Sequence, residues 1–192
     1  MSGGEGACVC CVCVGIVGVL VLIITLCVRA APDPLIFFPS VENGTLYTLD
    51  MDNSTSTLTY NLSAVFSFSC VNGDGSADGW RLKATKVAVA MFYSGQTLGP
   101  GATSLPAFQP DYSKAAMVPL QSLQGRQPVA GTAVVEAYAE DAAQGYYSIE
   151  AKLKLSAGYK RDFSCTLYFE APVAARGAPN PTLFDGNGCW EV

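Results

Sequence analysis

The chain has 192 residues, half of them hydrophobic, with 11 Lys and Arg against 16 Asp and Glu and a net charge of −5. That acidic balance argues against a nucleic-acid partner, which calls for a basic face. There is no histidine, which removes the commonest general base and metal ligand, and with them a serine–histidine triad and histidine-based zinc or iron sites.

From the N-terminus, residues 1–6 form a short tail, and residues 7–28 then run for 22 positions without a charge. As a helix this run would reach roughly 33 Å, enough to cross a hydrocarbon core of about 30 Å. Two readings compete: an uncleaved signal anchor, or a secretory signal peptide cut after Ala30, where Val28 and Ala30 satisfy the small-residue pattern. Length favours the anchor, because the apolar stretch exceeds the usual signal-peptide core and no Lys or Arg precedes it. Four cysteines, Cys8, Cys10, Cys11 and Cys13, crowd its leading edge. They read as S-acylation sites, as small apolar residues of a membrane helix, or as a thiolate site for copper(I) or zinc.

Residues 29–36 form a linker, and its single cation, Arg29, points weakly to a cytosolic domain by the positive-inside count. Three N-glycosylation sequons, at Asn43, Asn53 and Asn61, point the other way, to a lumenal domain. The expected location is the plasma membrane, single-pass, with the C-terminal domain outside the cytosol.

Residues 37–171 read as an all-β domain. In residues 58–70, Leu58, Tyr60, Leu62, Ala64, Phe66, Phe68 and Cys70 alternate with mainly polar neighbours, the mark of a strand with one buried face. The same period recurs at Tyr147, Ile149, Ala151, Leu153 and Leu155, and at Phe163, Cys165, Leu167 and Phe169. Residues 157–160 are placed to join these last two as a hairpin. Further strands are expected at 45–51, 82–93, 115–120 and 131–139, and no 3.6-residue amphipathic stretch stands out beyond the anchor. About seven strands with Gly, Pro, Asn and Asp-rich turns predict an antiparallel β-sandwich of immunoglobulin or fibronectin-III type. Residues 172–192, rich in Ala, Gly and Pro, are expected to be a tail.

A family resemblance rests on several segments in order: Leu58-Thr59-Tyr60-Asn61-Leu62-Ser63, then Val89-Ala90-Met91-Phe92-Tyr93-Ser94-Gly95-Gln96, then Leu105-Pro106-Ala107-Phe108-Gln109-Pro110, and last Phe163-Ser164-Cys165-Thr166-Leu167. Together with the anchor they resemble the plant late embryogenesis abundant group 2 family. Within that family the chain resembles the membrane-anchored, hydroxyproline-rich glycoprotein branch, related to harpin-induced and non-race-specific disease-resistance proteins. Where that family has an Asn-Pro-Asn turn, this chain has Val71-Asn72-Gly73-Asp74-Gly75. The resemblance implies a non-catalytic interaction module in stress or defence responses, with a protein or cell-wall partner. The alternative it leaves open is a secreted or intracellular water-stress protectant of the same fold.

No catalytic or cofactor motif stands out. The stretch from Asn72 to Gly79 resembles a calcium loop only loosely, since the template positions for glycine and glutamate hold Ala77 and Lys83. Asp50-x-Asp52-x-Ser54 fails the same template, and Glu140-Asp141 reads as a solvated pair in a loop. No enzyme activity, metal or cofactor is therefore expected. Cys70, Cys165 and Cys189 are disulfide candidates in an oxidising compartment. Cys70 and Cys165 face inward, compatible with an inter-sheet bond or with two buried thiols. Cys189 would then be free or would pair with another chain.

Overall fold

The computed structural model describes residues 17, 19–23, 36–71, 85–109, 111, 113–156, 160–170, 183–186 and 189–192, with the backbone alone at 183–186. Residues 17 and 19–23 are helical and exposed. Among the described residues no helix is long and apolar enough to cross a membrane. Most of the uncharged run, the four leading cysteines, the cleavage candidate at Ala30 and the loop 72–79 lie outside the described residues.

The rest is mostly β-structure in two antiparallel sheets, as the alternation predicts. The first sheet holds β1 (Ile36–Asp52), β2 (Thr57–Val71) and β5 (Ala116–Pro128), in the order β1-β2-β5. The second holds β3 (Lys86–Tyr93), β4 (Gln96–Ser104), β6 (Tyr146–Ser156), β7 (Lys160–Glu170), β8 (Leu183–Gly186) and β9 (Trp190–Glu191). Its order is β4-β3-β6-β7-β8, with β9 also pairing β7. One helix, α1 (Thr132–Gln144), joins β5 to β6.

The inner faces of the sheets share one core. The apolar set of β2 from Leu58 to Cys70 is buried, as are the inward sets of β6 and β7. At roughly 1.5–3 kcal/mol for each fully buried large apolar side chain, this period-two pattern holds the strands in register, because a one-residue slip would turn every such side chain to solvent. β6 and β7 pair from Tyr146↔Glu170 to Ser156↔Lys160, the expected hairpin. The β3–β4 hairpin turns at Ser94 and Gly95, both with positive φ (46° and 78°), which suits the twist of the flanking strands.

Four expectations are corrected. Residues 132–139 are helical rather than extended. Five of the thirteen residues of α1 are alanine, the best helix former, and Gly145 ends it in the left-handed conformation with its N–H donating to the Asp141 carbonyl at 2.9 Å. Residues 96–104, in which no strand was expected, form β4. Gly99, Pro100 and Gly101 disguise it as a turn, and its edge position tolerates the proline. The segment expected to be a tail supplies β8 and β9, which share one edge of β7. Finally, Cys165 bonds Cys189 rather than Cys70, because β9 brings Cys189 beside β7 while Cys70 lies on β2 in the other sheet.

Candidate functional site

The sandwich has two ends. At one, here called the base, the chain enters β1 at Ile36 and leaves β2 at Val71, and the two residues face each other across the ladder. At the other, the tip, lie the β1–β2 turn, the β3–β4 turn and α1.

At the tip, α1 presents Val134, Tyr138 and Asp141, spaced i, i+4 and i+7, toward the sandwich. Val134 is buried in the core. The Tyr138 ring stacks on Tyr147 of β6, with centroids 5.5 Å apart and planes at 20°, and its hydroxyl donates to the Leu49 carbonyl of β1 at 3.4 Å. Tyr93 packs edge-on to Tyr147, and its hydroxyl donates to Asp141 Oδ2 at 3.0 Å. The Ser148 N–H donates to the same oxygen at 3.4 Å. Burial raises the Asp141 carboxyl above its ordinary value, and the Tyr93 hydrogen bond opposes that rise. Burial also pushes the Tyr93 phenol far up, and the Asp141 charge adds to it. Tyr147 is raised by burial and by its Tyr138 neighbour. These groups border a shallow cleft of about 310 Å³ lined by Phe92, Ser94, Gly95 and Thr166 among others. A carboxylate held by a phenol and a backbone N–H, between two elements, ties α1 to the sheets. It is not the solvated charge expected of a loop.

At the base, a groove of about 530 Å³ runs between the start of β1 (Ile36 to Ser40), Phe163, Cys189 and Glu191. The Cys165–Cys189 disulfide, the Cys189 N–H donating to the Pro39 carbonyl at 3.3 Å and the Arg161–Glu191 ion pair at 2.7 Å fasten the C-terminus there. Cys70 is buried nearby as a free thiol, its Sγ 3.6 Å from the Asp111 carbonyl oxygen. Burial, and then the Asp111 charge, push that thiol up, away from the reactive thiolate.

All three sequon asparagines sit on the first sheet or its β1–β2 turn. Asn43 is exposed at a β1 irregularity, Asn53 is exposed in the turn, and Asn61 is half-buried in β2 with its Oδ1 accepting from Ser122 Oγ at 2.9 Å. Asp52, of the rejected calcium pattern, is engaged by its own turn. Ser54 and Thr55 donate to its carboxylate and lower its pKa to about 2, the Ser54 hydroxyl contributing most. Among the described residues, no group of three or more Cys, Asp or Glu is placed to hold a metal ion.

The tyrosine–aspartate cluster does not follow from the strand expected at 131–139. The signal that finds it is the i, i+4, i+7 spacing of Val134, Tyr138 and Asp141. Compared with known protein families, with curated proteins and with solved structures, the chain matches none.

Proposed function

We propose that this chain is a single-pass plasma-membrane protein whose extracytosolic β-sandwich is a non-catalytic interaction module. On the family resemblance, it acts in plant stress or defence responses through a protein or cell-wall partner. The observation that carries this reading is the strand order. The order β1-β2-β5 against β4-β3-β6-β7-β8 is compatible with a sandwich of the fibronectin-III kind, and the sandwich follows a 22-residue uncharged run after a short linker. Two further features support it. The three sequon asparagines lie at exposed or half-exposed positions of one sheet and its β1–β2 turn, compatible with glycans. The two carboxylates of the described tip cleft, Asp141 and Glu150, are each already committed to structural hydrogen bonds, a poor start for acid–base chemistry.

The test is protease protection in sealed microsomes with a tag at each end, followed by endoglycosidase. The expected result is a protected C-terminal tag and a gain in gel mobility on deglycosylation. Digestion of the C-terminal tag with unchanged mobility would place the domain in the cytosol and favour the protectant alternative.

A further inference from the structure

The exposed apolar side chains of the sandwich are not scattered. Apart from Tyr47, every exposed large hydrophobic residue among the described positions of the β-domain lies in its base half: Ile36, Phe38, Val71, Met117, Trp190 and Val192. Phe38, Met117 and Trp190 are 55%, 58% and 50% exposed, too open to be core residues at the margin. Ile36, Phe38 and Val71 meet on the outer face of the first sheet, where Ile36 opposes Val71, and Met117 follows along the same face opposite Ser67. Trp190 pairs with Ser164, which alternates with the core residues Phe163 and Cys165, so it lies at the same end but on the outer side of the second sheet. Large exposed apolar side chains gathered at one end of a domain mark an interaction surface.

Charge is mixed at the base and acidic at the tip. The base carries the exposed lysines Lys86, Lys114, Lys154 and Lys160 together with the exposed acids Asp111, Asp162 and Glu191. Among the described residues, the tip carries Asp50, Asp52, Glu136, Glu140, Asp141 and Glu170 with Arg126. Exposed rings and an exposed tryptophan at one end, with lysines beside them, are the chemistry that recognises a lipid surface, with rings at headgroup level and ammonium groups on the phosphates.

The chain's own path argues for the same occupant. Seven residues, 29–35, separate the uncharged run from Ile36, so even fully extended they span at most about 25 Å. Any bilayer holding that run lies within this reach of the base.

We propose that the base of the sandwich docks on the bilayer surface that carries its own anchor, with Phe38, Met117 and Trp190 entering the interface and the lysines contacting lipid phosphates. This rests on the anchor reading above. It fixes the domain base-down, leaving the acidic tip toward the partner.

The experiment uses the full chain with Trp80→Phe, which leaves Trp190 as the sole tryptophan, reconstituted in phosphatidylcholine vesicles with and without bromine on the acyl chains near the headgroup. A side chain lying about 5–10 Å into the interface should lose emission roughly twofold in the brominated vesicles. Phe38→Ser, at an exposed position, should weaken that quenching without unfolding the domain. Before the measurement the vesicles are washed in alkaline carbonate. Protein that remains bound but shows equal Trp190 emission in both lipids overturns the docking while leaving the anchor intact. Protein stripped by the wash overturns the anchor, and the docking with it.

Discussion

The two ends of the sandwich are closed by different chemistry. The tip is closed without a covalent bond: α1 lies over it, and its hold depends on ring stacking between Tyr138 and Tyr147 and on one half-buried carboxylate, Asp141. The base is closed covalently by Cys165–Cys189, yet it leaves large apolar side chains in the open. The docking proposed above gives that second arrangement a use. The contrast teaches that the tip is finished by its own residues, whereas the base leaves apolar side chains for the proposed bilayer contact to cover.

Breaking each closure in turn should show the difference, beginning at the base. Cys189→Ser removes a cross-link between residues 24 apart in sequence, which should cost about 3 kcal/mol by the chain-entropy estimate. Chemical denaturation of the full chain in detergent should show a lowered midpoint, and reductant should lower the wild-type midpoint to match the variant. At the tip, Tyr138→Ala removes the stack on Tyr147 and the bond to Leu49, a loss of about 2 kcal/mol. Hydrogen exchange should then quicken in α1 while β9 stays as in the wild type. Tyr138→Phe, which keeps the ring, should cost less than about 1 kcal/mol.

A smaller effect, read by pH, separates two carboxylates of the tip. Because burial raises Asp141, its contribution to folding is fully present below about pH 4, the unfolded carboxylate value, and is lost as the pH rises through the raised folded value. With solvent screening the change is under about 1 kcal/mol. Asp141→Asn should flatten that part of a stability-versus-pH curve. Asp52 runs the other way. Its pKa is lowered to about 2, so its contribution is present above the unfolded value and is lost as the pH falls through about 2. The smallest change is Glu191→Gln, which removes the largely exposed carboxylate of the Arg161 pair. Its cost in the same denaturation assay should be below about 1 kcal/mol.

How much of this was legible in the sequence depended on where a segment lies in its sheet. β2, β6 and β7 are central strands or carry the core on one face, and their alternation of buried and solvent-facing residues could be read directly. β4 is an edge strand, so it accommodates Gly99, Pro100 and Gly101, residues that look like a turn. β8 and β9 are too short for a period to show, and their place is set by pairing with β7, a long-range fact. α1 was hidden because Val134 and Val135 mimic strand composition while its alanines carry no pattern. The disulfide was missed for the same long-range reason: inward facing on β2 and β7 says nothing about which sheet the C-terminus joins. The base patch was invisible because Phe38 and Trp190 look like core residues until the register turns them outward.

The base-down orientation is tested most directly by methionine-methyl NMR on the full chain in nanodiscs that carry gadolinium-chelating lipid headgroups. Met117 lies on the exposed outer face in the base half, whereas Met51 lies near the tip end of β1, fifteen residues along the strand from Ile36, which at about 3.3 Å per residue is roughly 50 Å away. The expected result is a Met117 signal broadened away by the lipid-borne ion while the Met51 signal survives. Equal broadening of the two, or loss of Met51 first, would contradict a sandwich held with its base on the bilayer.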